Sequence, residues 1–325
     1  LCGDAQGIGS KLLSGPSKML ESLSQPAGIS RASLLIIAVY GLGVLLVGLG
    51  SARVLTRHEV LAAQPAREML RGPHWVIPTF AGEPRVVKPP ATGWTIAAFM
   101  RLFGSEHEFV VRLPAALAGV FTGMFIATIT GLWLGDRIGL IAGLVQLTTY
   151  YLQMQARLAE ADMLMAACVT GALACFARAC APSARPQRGL AIAFYFLAGM
   201  SFLYKGGIVF VAVAVITYLV WQRDRQALRF LWSPIGIVLL CALLFAWPAA
   251  AMIVYPPIVD VRVQETFGWA TGELGADEPW HFYLWTVPWI ILPWTPFTVA
   301  GVVSMARAGM LSQASGRFLI SWFVP

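Results

Sequence analysis

Two residues in the long polar stretch between the first two apolar segments could carry out transfer chemistry. Glu59 follows the first apolar segment, and Lys88 precedes two prolines that fix φ and stiffen the chain. A carboxylate can take the proton of an attacking nucleophile, and a cation can stabilise a departing phosphate. We therefore predict Glu59 as a general base and Lys88 as a phosphate contact at a membrane surface. The structural alternatives are a Glu59 carboxylate paired with Arg53 or Arg57 and a Lys88 ammonium that snorkels to the interface.

Three more ionisable residues, Arg157, Asp162 and Lys205, stand where apolar segments are predicted to end. Charged groups at such places are costly and usually have a partner or a function. Arg157 and Lys205 could reach the same phosphate, and Asp162 could act as a supporting acid. The structural alternatives are an Arg157–Glu160 pair on a helix end and a Lys205 ammonium that caps carbonyls or snorkels. The candidate catalytic residues are thus Glu59 and Asp162, and the candidate phosphate ligands are Lys88, Arg157 and Lys205.

The composition indicates a polytopic membrane protein. Hydrophobic residues make up 58% of the 325 residues, charged residues only 12%, and the mean hydropathy is +0.71. A water-soluble domain needs a far more charged surface. The net charge of +7 does not indicate nucleic acid, because the basic residues are scattered over short connections. We expect membrane lipids around the chain and no nucleic-acid partner.

Apolar segments of membrane-spanning length predict a helical bundle. We expect spans near 33–51, 113–133, 138–155, 163–180, 189–204, 207–221, 234–255 and 282–303, with another beginning at Phe318. The arginine-bearing short connections share one side with the basic N-terminal segment, and the positive-inside rule makes that side cytoplasmic. This assigns 1–32 to a cytoplasmic tail, 33–325 to the membrane domain and about 52–112 to a long first external loop.

The stretch Gly189–Trp221 is predicted to form two spans rather than one. A single helix would run to about 50 Å against a hydrocarbon core of roughly 30 Å. A turn at Lys205-Gly206-Gly207 avoids this mismatch and keeps the next arginines on the cytoplasmic side. The chain starts at Leu1 and stops at Pro325, inside a further predicted span, so we expect a fragment. The N-terminal thirty residues lack the early apolar region and cleavage site of a signal peptide, so we expect the first span to be an uncleaved signal anchor.

Metal and disulfide chemistry have no support in the sequence pattern. The four histidines lack a spacing such as H-E-x-x-H, and the five cysteines contain no C-x-x-C pair. Cysteines in predicted spans behave as small apolar residues. We expect no cofactor and no metal ligand.

An ordered set of motifs resembles one family of membrane enzymes. The matching elements are His58 to Leu70, Gly72 to Pro78, Gly82-Glu83-Pro84, Lys88-Pro89-Pro90, Arg112-Leu113-Pro114, Arg157 through Met163, Lys205-Gly206, and Pro279-Trp280 through Pro293-Trp294. The set is similar to the 4-amino-4-deoxy-L-arabinose transferase and dolichyl-phosphate-mannose protein mannosyltransferase-like family. No single element is specific, but the resemblance follows the same order along nearly the whole chain.

The resemblance implies an all-α, polytopic transmembrane GT-C fold whose long first external loop bears interfacial helices. It also implies a glycosyltransferase that uses a polyprenyl-phosphate-linked sugar. The family pattern opens with an acidic pair, which is His58-Glu59 here, so Glu59 alone remains as a carboxylate. Leu61 and Ala62 stand where the family has Arg and Tyr, and Val87 stands where an acidic metal ligand often precedes the lysine. The valine argues against a bound divalent ion.

The sequence therefore predicts a hexosyl- or pentosyltransferase in the plasma (inner) membrane, with its active site on the extracytoplasmic face. The donor is a polyprenyl-phosphate-linked sugar, and the acceptor is a lipid, a glycan or a protein. Two alternatives stay open. A flippase or transporter of lipid-linked sugars would use the same basic cavity without needing Glu59. A non-catalytic relative would only bind polyprenyl phosphate, and the departures at His58, Leu61, Ala62 and Val87 support it.

Overall fold

The computed structural model describes residues 28–51, 54–181, 188–271, 281–307, 309 and 314–323. These residues are overwhelmingly helical and include one short β-hairpin, which confirms the predicted all-α class. Most of the predicted tail, Arg53 and the Pro279-Trp280 motif lie outside the described residues.

The described elements follow one another along the chain without a larger sheet. They are α1 Arg31–Leu46, α2 Arg57–Arg71, β1 Thr79–Phe80, β2 Glu83–Pro84, α3 Ala91–Phe103, α4 Glu108–Leu134, α5 Asp136–Thr148, α6 Tyr150–Gln155, α7 Ala161–Cys180, α8 Arg188–Lys205, α9 Ile208–Gln222, α10 Arg225–Leu231, α11 Pro234–Val254, α12 Ile258–Thr271, α13 Phe282–Ile290, α14 Thr295–Arg307 and α15 Ala314–Phe323. Strands β1 and β2 pair antiparallel, with Thr79 opposite Pro84 and Phe80 opposite Glu83.

Three helices in these ranges, α4, α7 and α11, are each long and apolar enough to cross a membrane. The pair α13 and α14 meets the same criterion only when taken as one span, and it is bent by 106°. Helices α1 and α9 are apolar but shorter. The structure thus contains several membrane-compatible helices, while the side on which each connection lies stays a prediction.

Two predicted spans are broken in the structure. The predicted span 138–155 divides at Thr149, where an extended backbone separates α5 from α6. The N–H of Tyr150 donates instead to the Leu292 carbonyl oxygen at 2.8 Å, in the break between α13 and α14. That second break interrupts the predicted span 282–303 and contains Pro293, which has no N–H to continue a helix. The first break therefore depends on a hydrogen bond to a distant segment, and the second contains a proline. Hydropathy reports neither feature.

The predicted division of Gly189–Trp221 is confirmed, because α8 ends at Lys205 and α9 begins at Ile208. Gly206 has a φ of +82°, a left-handed conformation that glycine adopts without a steric penalty. Helix α4 begins at Glu108, so Arg112 lies in its first turns. The bounds of the first external loop stay a prediction.

Helix α4 is the centre of the bundle and packs against α1, α5 and α7. Its contact with α5 is close, since a Cβ atom on Gly139 would lie 2.7 Å from the carbonyl oxygen of Ala127. Membrane helices commonly use small residues in this way, because packing rather than hydrophobic exclusion drives their association. The tight bundle gives the segments between α1 and α4 a rigid base.

A separate apolar cluster fixes helices α2 and α3 on that base. Its buried members are Ala63, Ala66, Met69, Ile96, Ala97, Met100, Val111 and Ala159. Full burial of a side chain of methionine or isoleucine size contributes about 1.5–3 kcal/mol. The cluster therefore ties α2 and α3 to the start of α4 and to the turn before α7.

Candidate functional site

A cleft lies where α2, the segment from the hairpin into α3, and the start of α7 meet. Its ionisable lining residues are His58, Arg85, Lys88, Glu160 and Asp162. Apolar side chains and prolines complete the wall, among them Leu61, Met69, Pro89 and Pro90. The structure thus brings two predicted site residues, Lys88 and Asp162, to one cleft, whose lining does not include Glu59, Arg157 or Lys205.

The segment that carries Lys88 is held on both sides. Before it, the N–H of Arg85 donates to the Pro78 carbonyl oxygen at 2.7 Å and closes the hairpin. Next to it, the Arg262 guanidinium of α12 donates to the Val87 carbonyl oxygen at 2.7 Å. The Lys88 side chain itself is exposed. A mobile ammonium therefore stands on a fixed backbone, which suits a contact with an incoming anion.

Arg85 adds a second cation to the cleft. Its guanidinium carbon lies 5.9 Å from the centre of the Phe80 ring, within cation–π range. Burial lowers the pKa of Arg85, and the charge of Glu265 opposes that shift, but a guanidinium stays protonated in a protein. Sequence reasoning missed this residue because an arginine in a basic loop carries no distinguishing pattern.

Asp162 and Lys205 form an ion pair at the other side of the cleft. The Lys205 Nζ atom lies 2.6 Å from the Asp162 Oδ1 atom, joining the start of α7 to the end of α8. Lys205 therefore approaches the cleft through Asp162. The pair places one carboxylate, with its second oxygen uncommitted by this bond, in the cleft wall.

Glu160 lies beside this pair and also lines the cleft. It is the N-cap of α7, yet its side chain makes no capping hydrogen bond. Burial raises the pKa of Glu160, the neighbouring charges of Asp162 and Glu59 raise it further, and those of His58 and Lys88 act against the rise. A carboxylate whose pKa is raised above its ordinary value accepts a proton more readily than an ordinary one.

Glu59 occupies a different place, behind the cleft. Its side chain is fully buried, at 0% exposure, and Arg112 pairs with it through Nε at 2.7 Å and Nη2 at 3.1 Å. The N–H groups of Thr56 and Ala159 donate to its two oxygens at 2.9 Å and 3.1 Å. Each oxygen thus accepts two hydrogen bonds, which uses the capacity of a carboxylate.

These contacts determine the charge of Glu59. Burial alone would raise its pKa, but the hydrogen bonds from Arg112, Thr56 and Ala159 outweigh burial, so the pKa lies below its ordinary value. The role of Glu59 as general base therefore stays a prediction. In this structure its four hydrogen bonds occupy both carboxylate oxygens. The geometry instead matches a positioning residue, because the bond to Ala159 fixes the turn that carries Glu160. The ion-pair partner of Glu59 is Arg112, 53 residues away in sequence, and of the two alternative partners Arg53 lies outside the described residues.

Arg157 donates hydrogen bonds to a helix end in the structure, and its predicted role as a phosphate ligand stays untested. Its Nη2 atom donates to the carbonyl oxygens of Val44 and Val47, at 2.8 Å and 2.6 Å. These groups belong to the C-terminal end of α1, whose last carbonyls have no partner within the helix. Arg157 therefore caps α1 and does not form the alternative pair with Glu160.

Metal ligands were predicted to be absent. Within the described part of the chain, no three or more His, Cys, Asp and Glu side chains are grouped so that they could hold a metal ion. The metal-free site stays a prediction.

Two cleft residues could have been found from the sequence. His58 stands at the first position of the family's acidic pair, and this position lines the cleft. Glu160 stands two residues before Asp162, at the same helix start. The sequence suggested only a helix-end pair of Glu160 with Arg157. Sequence spacing does not show which side of a helix start faces a cavity.

Comparison with known proteins assigns this arrangement to a family. The sequence model of the dolichyl-phosphate-mannose-protein mannosyltransferase family matches residues 87–250. The chain is 26% identical over 282 residues to an undecaprenyl phosphate-α-4-amino-4-deoxy-L-arabinose arabinosyl transferase from Edwardsiella ictaluri, covering 82% of this chain and 49% of that protein. It is 27% identical over 311 residues to the enzyme of the same description from Pseudomonas savastanoi pv. phaseolicola, covering 90% and 55%.

A solved structure has the same fold. The crystal structure of ArnT from Cupriavidus metallidurans bound to undecaprenyl phosphate superimposes with a TM-score of 0.79 at 22% identity, covering 90% of this chain and 54% of ArnT. At this identity the likeness concerns the fold alone. The chain spans about half the length of the curated relatives it matches.

Proposed function

Because the chain belongs to the dolichyl-phosphate-mannose-protein mannosyltransferase family, we propose that its protein is a membrane glycosyltransferase. It moves a sugar from a polyprenyl-phosphate carrier to a lipid, glycan or protein acceptor, at the extracytoplasmic face of the inner membrane. The relatives' names make undecaprenyl phosphate-α-4-amino-4-deoxy-L-arabinose the first donor to test. One observation supports the proposal: the cations Arg85 and Lys88 line the same cleft as the carboxylates Glu160 and Asp162.

Lys88 and Arg85 bind the phosphate of the donor in this proposal. An ammonium and a guanidinium in a partly dry cleft attract an anion more strongly than they could in water. They also stabilise the negative charge that grows on the phosphate as it departs. Lys205 supports the site through Asp162 rather than by touching the phosphate, and Arg157 remains a helix cap.

Glu160 is the proposed acceptor base. Its raised pKa follows from burial and from the charge of Asp162, which therefore keeps the supporting role predicted for it. Glu59 contributes by position, since it holds the Ala159 N–H next to Glu160. This division of roles lets Glu59 stay ionised in its pair with Arg112 while Glu160 exchanges a proton.

The transfer step then balances as a substitution at the sugar. The acceptor oxygen forms a bond to the anomeric carbon, and the bond from that carbon to the phosphate oxygen breaks. The phosphate leaves with the bonding electron pair, next to Lys88 and Arg85. The acceptor proton passes to the Glu160 carboxylate.

Mass spectrometry of envelope lipids and glycans tests this function in cells. A strain that lacks the gene should lose one glycosylated species, and the full-length wild-type protein should restore it. The Glu160→Gln variant should fail to restore the species at equal protein level, while a variant at exposed Arg71, which pairs with Glu106, should restore it. Unchanged envelope profiles in the deletion strain would contradict the proposal. Restoration by Glu160→Gln would contradict the assignment of the base.

A further inference from the structure

The N-terminus of α3 is open towards the cleft. Pro90 is its N-cap residue, and no side chain makes a capping hydrogen bond there. The N–H groups of Ala91, Thr92 and Gly93 form the first turn, where N–H groups have no acceptor within the helix. Thr92 and Gly93 both line the cleft, as does Lys88 just before the helix. The first turn therefore presents donors and the positive end of the helix dipole to whatever occupies the cleft.

The Thr92 hydroxyl is a second, independent sign of a ligand. Thr92 is only 8% exposed, and its Oγ1 atom has no hydrogen-bond partner among the described residues. Buried hydroxyl groups are almost always paired, since an unpaired one costs stability. Thr95, one turn later, has the ordinary arrangement: its hydroxyl donates to the Ala91 carbonyl oxygen at 2.8 Å and contacts the Tyr204 hydroxyl at 2.9 Å.

We propose that the first turn of α3, with the Thr92 hydroxyl, is the seat of the donor's phosphate group. The inference rests on the proposed function, and it names a neutral cradle beside the cations. Helix N-termini bind phosphates because their N–H groups point at the anion. A phosphate oxygen would also give the buried Thr92 hydroxyl the acceptor that it lacks. Lys88 then supplies charge, while α3 sets the position and orientation of the phosphate.

The variant Thr92→Val tests the cradle, because valine keeps the shape and removes only the hydroxyl. Undecaprenyl phosphate is titrated into the purified full-length protein, and its dissociation constant should rise about tenfold or more in the variant. Without ligand, Thr92→Val should unfold at the same or a higher temperature than wild type, since an unpaired buried hydroxyl is lost. Thr92→Ser should keep the wild-type affinity.

Thr95→Val is the matched control on the same helix. It removes a hydroxyl that is paired, so it should lower the unfolding temperature and leave the affinity for undecaprenyl phosphate unchanged. Equal affinities of wild type and Thr92→Val would overturn the cradle. A lower unfolding temperature of ligand-free Thr92→Val would also overturn it, because the hydroxyl would then have a structural partner.

Two further measurements distinguish failure of this inference from failure of the proposed function, and lipid phosphate from inorganic phosphate as the ligand. Lys88→Met should weaken lipid binding on its own. If Lys88→Met weakens binding and Thr92→Val does not, only the cradle is wrong. If the wild type does not bind undecaprenyl phosphate at all, the proposed function is wrong. Inorganic phosphate is titrated in parallel, and a Thr92-dependent loss for inorganic phosphate but not for the lipid would overturn the assignment to the donor.

Discussion

The buried pair of Glu59 and Arg112 should act in folding rather than in proton transfer, and Glu59→Gln tests this. The two side chains are 0% and 4% exposed. Removing one partner of a buried ion pair costs about 3–5 kcal/mol, because the other charge is left unpaired in the interior. Glutamine keeps one acceptor oxygen but turns an amide group towards donors, so we expect about 3 kcal/mol of lost unfolding free energy. An SDS titration of the protein in mixed micelles measures this loss.

A double variant and a surface control make the result interpretable. Glu59→Gln with Arg112→Met removes both charges, so its loss should be smaller than the sum of the two single losses. Glu106→Gln breaks two partly exposed pairs, with Arg67 and Arg71, and should cost at most about 1 kcal/mol for each pair. Wild-type stability of Glu59→Gln together with a 10²- to 10⁴-fold fall in turnover, the usual contribution of a positioned base, would refute the reasoning and restore Glu59 as the base.

The remaining predictions concern proton transfer, the phosphate and topology. Because the base must be ionised, turnover should fall as the pH drops through the raised pKa of Glu160. Asp162→Asn removes a negative neighbour, so it should lower this pKa and move the fall in turnover to lower pH. A pH–rate profile that is the same in wild type and Asp162→Asn contradicts the coupling. Lys88→Met should weaken undecaprenyl phosphate binding and lower turnover. EDTA should leave the wild type active, and inhibition by EDTA that zinc or magnesium reverses would show a metal-dependent site. In a cysteine-free background, a cysteine at exposed Glu83 should react with an impermeant thiol reagent in intact cells and one at exposed Arg229 should not; the opposite pattern contradicts the predicted sidedness.

Hydropathy and charge predicted the parts of the fold that depend on single segments. The helical class follows from composition, and the division at Gly206 follows from helix length and the arginines beyond it. The break at Thr149 could not be predicted in this way. It is stabilised by a hydrogen bond from Tyr150 to Leu292, which only the folded chain brings together.

The candidate site divides along the same line. Lys88 and Asp162 were predicted because an ionisable group at a membrane boundary stands out in an apolar sequence. The partner of Glu59 was not, since Arg112 comes from another helix and nothing local marks the pair. The unpaired Thr92 hydroxyl was missed for a related reason, because the absence of a partner is a property of the packed structure.

The rate of a single turnover tests most directly whether this cleft transfers a sugar. Wild type and Glu160→Gln are each saturated with a radiolabelled sugar on its undecaprenyl-phosphate carrier, and transfer to the acceptor is followed after mixing. The account predicts a rate about 10²- to 10⁴-fold lower for Glu160→Gln, with donor affinity within a few-fold of wild type. Equal rates for the two proteins at full donor occupancy would contradict it.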